Sequence, residues 1–193
     1  MNRSEAYSLL TKYLNNKNLL KHSLAAEVAM IALYKRLTPQ NDQNTADEEK
    51  WGITGLLHDA DYELARTSNQ LDKHGLLLFE KEPDIVPEDI THAIKSHNYK
   101  NTKVLPESLM DWSITACDQL TGLIVAAALV LPDKKLSSLT ADSVLKRMKS
   151  PSFAKGADRE AIKFCETELK IPLPEFVEIV LKAMQSISDD LGL

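Results

Sequence analysis

A histidine and an aspartate stand side by side at His58-Asp59, closing the apolar stretch Gly55-Leu56-Leu57. His22 precedes them in Leu20-Lys21-His22-Ser23-Leu24, and Asp118 follows in Ala116-Cys117-Asp118-Gln119-Leu120. Imidazole and carboxylate are ligands that a borderline divalent metal prefers. Asp118 is the only charged residue between Asp111 and Asp133. A carboxylate in such surroundings is costly to bury unless it is paired or binds a metal. No lysine or arginine on its own helix can reach it. A buried Arg–Asp pair from elsewhere in the fold is one answer. A metal held jointly with His22, His58 and Asp59 is the other, and it accounts for four residues together.

The remaining histidines are His74, His92 and His97, so all five lie between positions 22 and 97. His74 sits in Asp72-Lys73-His74-Gly75, where a helix is expected to begin. His92 and His97 share one helical stretch and are five residues apart, which turns them about 140° from each other. Only one can face a given site. His97, near a helix end and with Ile94 marking the inward face, is the expected one, and His92 is expected at the periphery.

Helical periodicity dominates the chain and no alternating strand pattern appears, which predicts an all-α fold. Helices are expected over about Ser4 to Leu14, with Tyr7, Leu10 and Leu14 inward, then about Leu19 to Leu37 and from near Ala46 to the His-Asp pair. Others follow over Leu71 to Glu80, Glu88 to Tyr99 and Glu107 to Leu131. The C-terminal third predicts three shorter helices, near Ala141 to Lys149, Asp158 to Leu169 and Pro174 to Leu191. Asn15, Asn16, Asn18, Pro39, Pro132, Pro172 and Pro174 punctuate the pattern. The chain of 193 residues fits one domain, with residues 132–157 as a possible subdomain boundary.

Net charge is −5, which argues against general nucleic-acid binding. The charge is uneven: Lys134 to Lys163 holds eight basic residues against three acidic ones. Such a segment suits an anionic ligand, although a solvated helix face explains most of these lysines equally well. Cys117 and Cys165, both in partly apolar helical surroundings, fit free buried thiols in a reducing compartment. The N-terminus leads into an amphipathic helix rather than a signal peptide, and the apolar run Leu120 to Pro132 is too short to span a bilayer. A cytoplasmic protein without membrane partners is expected.

The order His22, His58-Asp59, His74, His97, Asp118 on helices resembles the HD-domain superfamily of metal-dependent phosphohydrolases, over roughly residues 17–130. More narrowly, the chain resembles a subfamily of small predicted HD hydrolases. The carriers are His-Asp-x-Asp-Tyr-Glu at His58 to Glu63, Ser-His-Asn at Ser96 to Asn98 and Leu-Thr-Gly-Leu-Ile at Leu120 to Ile124. Ser152 to Gly156 and Arg159-Glu160 match further elements. The chain departs from many relatives in having Ala60-Asp61-Tyr62 after the pair, where they carry Ile-Gly-Lys. It also lacks the Gly-Tyr-Pro element of the cyclic-dinucleotide phosphodiesterases, which disfavours that activity.

The resemblance implies an HD-type helical bundle with a C-terminal helical extension over about residues 132–193. It implies one or two divalent ions, with His22, His58, Asp59 and Asp118 on the first, and His74 and His97 on a second that Asp59 bridges. Mn, Fe, Co or Ni fits so much imidazole better than Mg. The implied activity is hydrolysis of a small phosphorylated metabolite, such as a nucleotide, by metal-activated water. Asp59 and Asp61 are the candidate catalytic residues, with Glu63 as a further group to orient water or substrate. Lys155 and Arg159 are the candidate phosphate-binding residues, flanking Gly156, and Lys134 and Lys135 are weaker ones. A di-iron oxygenase of the same fold and a non-catalytic, metal-stabilised nucleotide-binding module are the competing readings.

Overall fold

A computed structural model describes residues 1–193, and it is all-α with no strand. The helices are α1 (Arg3–Tyr13), α2 (Lys17–Leu37), α3 (Thr45–Leu57), α4 (Tyr62–Thr67), α5 (Leu77–Lys81), α6 (Glu88–His97) and α7 (Tyr99–Thr102). They continue with α8 (Leu109–Leu129), α9 (Ala141–Met148), α10 (Arg159–Thr167), α11 (Leu173–Gln185) and α12 (Ser188–Leu191).

The two longest helices, α2 and α8, form the centre. α2 packs on α3, α8 and α11, while α8 also receives α6 and α10. By length and composition α8 could cross a membrane, but it is mostly buried within the bundle and serves as its core helix. One cluster of 41 buried apolar residues runs from Ala6 to Leu191, so the C-terminal helices share the core of the first eight.

Caps set where the helices that carry the site begin. Asn16 lies outside α2 and its side chain accepts from the amides of Asn18 and Leu19, satisfying donors that the helix leaves free. The asparagines between α1 and α2 therefore both end one helix and start the next, and His22 falls early in α2. Ser108 and Asp111 form a reciprocal capping box at the start of α8, which fixes the register of Asp118.

Gly55 sets how closely α2 and α3 approach. A Cβ there would lie 2.5 Å from the carbonyl oxygen of Ala26, so any side chain would push the helices apart. That contact is one turn before His58 and brings it toward His22.

The structure corrects several expectations. The stretch Leu71 to Glu80 is not one helix: a short 3-10 turn over Leu71–Lys73 and α5 are separated at Gly75. Gly75 has φ +91, and a Cβ there would come within 3.2 Å of the Ile94 carbonyl oxygen, so the break requires glycine. His74 thus lies in a turn rather than at a helix start. The last stretch also divides, into α11 and α12. Tyr7 is 39% exposed, and Ala6 and Leu9 take the inward face of α1 beside Leu10. The short α4, directly after the His-Asp pair, has no counterpart in the periodicity reading.

Candidate metal centre

Four helices and two turns deliver six side chains to one place. His22 comes from α2, His58 caps α3, Asp59 opens the following turn, His74 lies in the turn before Gly75, His97 ends α6, and Asp118 lies mid-way along α8. The ligand atoms fall into two groups that share Asp59: His22, His58 and Asp59, and Asp59, His74 and His97, each within 4.8 Å. Asp118 joins the first group, with Oδ1 2.8 Å from His22 Nε2 and 3.5 Å from His58 Nε2. Asp59 Oδ1 lies 2.9 Å from His74 Nε2 and 3.8 Å from His97 Nε2, and its Oδ2 lies 3.5 Å from His22 Nε2.

Each imidazole is anchored through Nδ1 from outside. His58 Nδ1 faces the Gly55 carbonyl oxygen at 2.7 Å and His97 Nδ1 faces that of Ile94 at 2.5 Å. His74 Nδ1 lies 2.6 Å from Asp61 Oδ1. His22 Nδ1 lies 3.3 Å from the Thr121 hydroxyl, which itself donates to the Asp118 carbonyl and so is free to accept. These partners are all acceptors, which assigns the proton of each neutral ring to Nδ1. All four Nε2 lone pairs then point inward. His58 and His22 meet Nε2 to Nε2 at 3.2 Å, and so do His97 and His74. Lone pairs and carboxylate oxygens converging at such distances repel one another unless protons or a cation lie between them. The donor set fits a divalent metal: nitrogen and oxygen ligands, inward-facing, with outer partners that fix the tautomers.

The titration behaviour follows from the same arrangement. Burial pushes His58 down, but Asp59 and then Asp118 outweigh it and leave the ring at about 9. Burial likewise opposes protonation of His74, yet hydrogen bonds to Asp59 and Asp61 raise it to about 10. Burial and the charges of His74 and His58 drive His97 the other way, to about 4. Asp59 and Asp118 are held well below the usual carboxylate range, because the surrounding imidazoles overcome the burial that would raise them. Raised in this way, His58 and His74 favour the protonated form near neutral pH in the absence of metal, and their charge pairs with Asp59 and Asp118.

The cluster forms one end of a cleft of about 440 Å³. Tyr62, Asn98 and Gln119 line it as well, together with Ala154, Gly156 and Ala157. These outer residues also support the ligands. Tyr62 packs edge-on against His74 with ring centres 5.2 Å apart, Asn98 Nδ2 donates to the His74 carbonyl at 3.0 Å, and Gln119 Nε2 donates to Asp118 Oδ2 at 2.6 Å. Tyr62, Gln119 and Thr121 are not among the candidate site residues read from the sequence. Tyr62 and Thr121 do fall within the motifs at His58 to Glu63 and Leu120 to Ile124, and Gln119 directly follows Asp118.

Other candidate residues take different places. Asp61 does not face the cleft: it is 1% exposed, its carboxylate accepts from the amides of Gly75 and Leu78 as well as pairing with His74, and it serves to orient that ring. A role for Asp61 in orienting water or substrate is therefore corrected to one behind the ligand. Glu63 points away and accepts from the amides of Asn15 and Asn16, joining α4 to the link before α2. His92 pairs with Asp111 at 2.9 Å, outside the cluster, as its position on α6 predicts.

Arg159 is also corrected. Its guanidinium donates to the carbonyls of Met148, Ser150, Phe153, Ala154 and Ala157, so the fork is committed to backbone and has nothing left for a phosphate. Lys155 is exposed and does not line the cleft, although Ala154 and Gly156 on either side do. No lysine or arginine lines the cleft, so the basic segment contributes backbone and small side chains there rather than charge. Cys117 and Cys165 are free and buried, and burial raises both thiols, the second to about 12, which makes them inert packing groups. No protein-family model, curated protein or solved structure matches this chain, so its chemistry rests on the residues described above.

Proposed function

We propose that the protein is a metal-dependent phosphohydrolase of the HD type, acting on a small phosphorylated metabolite within the cytoplasm. The observation that carries this reading is the pair of imidazole–carboxylate groups sharing Asp59, with every Nε2 turned inward and every Nδ1 tied outside. His22, His58, Asp59 and Asp118 would hold one ion, and Asp59, His74 and His97 a second. Two adjacent divalent ions supply Lewis acidity and charge neutralisation for displacement at a phosphorus centre. Histidine-rich ligation favours Mn, Fe, Co or Ni over Mg.

The protein's own residues do the rest. Asp61 fixes the His74 ring, the Gly55 and Ile94 carbonyls fix His58 and His97, and Gln119 holds Asp118. The side chains of His22 and Asp118, 19% and 14% exposed, are the ligands most open to the cleft and mark the side from which substrate approaches. With no cationic side chain lining the cleft, the bound ions alone would neutralise the substrate phosphate. This favours one phosphoryl group over a polyphosphate, and a nucleoside monophosphate remains within the class.

Purification under anaerobic conditions, metal analysis and a phosphatase screen with Mn or Co over nucleotides and sugar phosphates test the proposal. Metal-dependent release of inorganic phosphate is the expected result, with His74→Ala and His97→Ala each lowering the metal count without abolishing it. Oxygen consumption by an iron-loaded form would assign the centre to oxygenase chemistry instead. Tight nucleotide binding without turnover would assign a binding module.

A further inference from the structure

A second cavity, of about 390 Å³, adjoins the metal cleft and shares His22 and Gly122 with it. It runs between α2 and α8. Gly122, Val125 and Leu129 lie on one face of α8, spaced three, then four residues apart, and Leu191 and Leu193 close the far side. Leu129, the last residue of α8, leaves 49% of its surface exposed beside the cavity. Lys21 is the single cation lining either cavity, and its ammonium rests over Gly192 at the floor.

Gly122 joins the two cavities. It lies in the interior of α8, where glycine is unfavourable relative to alanine. No close approach accounts for it, because a Cβ there would meet nothing within 4 Å. Gly55 is glycine to admit a neighbouring helix, and Gly75 is glycine to reach a positive φ. Gly122 meets neither need, and a side chain there would project into the passage between cleft and trough.

We infer that this trough is a subsite for an apolar portion of the substrate, which lies across Gly122 while the phosphate sits at the metal centre. The inference rests on the phosphohydrolase reading for the phosphate end only. The ligand class is a phosphomonoester whose leaving group is an aliphatic or otherwise apolar chain. Continuity with the cleft favours this occupant over a docked protein segment, since the shared residues are a metal ligand and the glycine beside it.

The test uses the metal-loaded full chain and a series of n-alkyl phosphonates, ethyl to octyl, measured by calorimetry, with hydrolysis of the matching alkyl phosphates in parallel. Affinity is expected to rise with chain length, by up to roughly fourfold per buried methylene. Gly122→Leu should lose affinity progressively, so that its deficit at octyl exceeds that at ethyl by tenfold or more. Gly122→Ala, whose methyl has room and suits the helix, should show the same trend more weakly and guards against misfolding of the larger variant. Affinity independent of chain length in the unaltered protein overturns the inference. So does an equal loss at every length in the variants. Chain-length-dependent binding with no turnover of any ester overturns the phosphohydrolase reading and leaves the trough assignment standing.

Discussion

Two regions of this protein take strongly polar side chains wholly or partly out of water, and they do so in opposite ways. In the histidine–aspartate cluster, every ring is tied from behind through Nδ1 and left with Nε2 facing only other acceptors. In the strap from Ser150 to Ala157, the guanidinium of Arg159 is surrounded by carbonyls and has a partner for each direction it can donate. The first arrangement needs added protons or a cation between its acceptors, and the second needs nothing further. Buried polar groups are normally satisfied, so an incomplete set marks a place for a ligand, while a complete set marks structure. Residue type did not separate the two regions, since His and Arg are equally plausible at a phosphate site. The direction of their hydrogen bonds did.

Asp59→Ala should break the cluster most severely. Asp59 is the one residue common to both ligand groups, with separate oxygens toward His22 and His74. Its loss removes a ligand from each ion and leaves the protonated rings without their carboxylate. We expect metal affinity to fall by far more than the roughly 10- to 100-fold typical of losing an outer partner, with hydrolysis lost as well. A folded Asp59→Ala protein with its full metal content would remove the basis of the assignment.

Asp61→Asn probes the same region one layer out. The amide can still meet the Gly75 and Leu78 amides with its oxygen, but it no longer offers a charge to His74 Nδ1. Metal affinity should fall about 10- to 100-fold, with one site affected more than the other. An unchanged affinity would mean that Asp61 only caps the turn before α5.

The helices, the His-Asp pair and the isolated Asp118 could be read from the chain because each leaves a local mark: period 3.6, adjacency, or a lone charge in apolar surroundings. His97 could be chosen over His92 from helical geometry alone. Other features depend on what comes near in space. Gly75 looks like an ordinary turn residue until Ile94 lies against it, and Gly55 looks like a weak point in α3 until Ala26 does. Asp61 is two residues from a ligand and reads as a second catalytic carboxylate, yet the turn after His58 sends it behind His74 rather than into the cleft. The charge excess between Lys134 and Lys163 suggested an anion site because composition carries no direction. Once folded, Arg159 turns to the backbone, Arg147 turns back to Ser143 on its own helix, and the lysines turn to solvent or to surface partners such as Glu160.

A pH titration separates protons from metal in the cluster. His58 and His74, at about 9 and about 10, are raised above the ordinary histidine value. Their contribution to stability in the metal-free protein is fully present below pH ~6.5 and is lost as pH rises through 9 and 10. Metal needs those same rings neutral, so its affinity should rise over that window and its uptake near neutral pH should release about two protons. Thermal denaturation of the metal-free protein should therefore show stability falling between about pH 7 and 9.5, while the metal-loaded protein, whose rings are neutral both folded and unfolded over that window, should stay nearly level. Parallel slopes would mean that no metal displaces those protons.

The smallest effect on the metal centre, and the sharpest test of the contrast, is expected at Arg159. Removing its side chain in Arg159→Ala leaves five carbonyl groups without their common donor and frees the strap that carries Ala154, Gly156 and Ala157. Hydrogen bonds to a charged donor contribute more than neutral ones, but the strap is partly open to water, which can replace several of them. A loss of about 2–3 kcal/mol is expected, or roughly 5–10 °C in melting temperature for a chain of this size. Arg159→Lys should recover little, because a point charge cannot reproduce the planar fork. Metal content should stay as in the unaltered protein in both variants. If Arg159→Ala instead leaves the melting temperature unchanged and raises KM for a phosphoester, the guanidinium turns toward substrate in solution, and the complete set of hydrogen bonds is not what holds it.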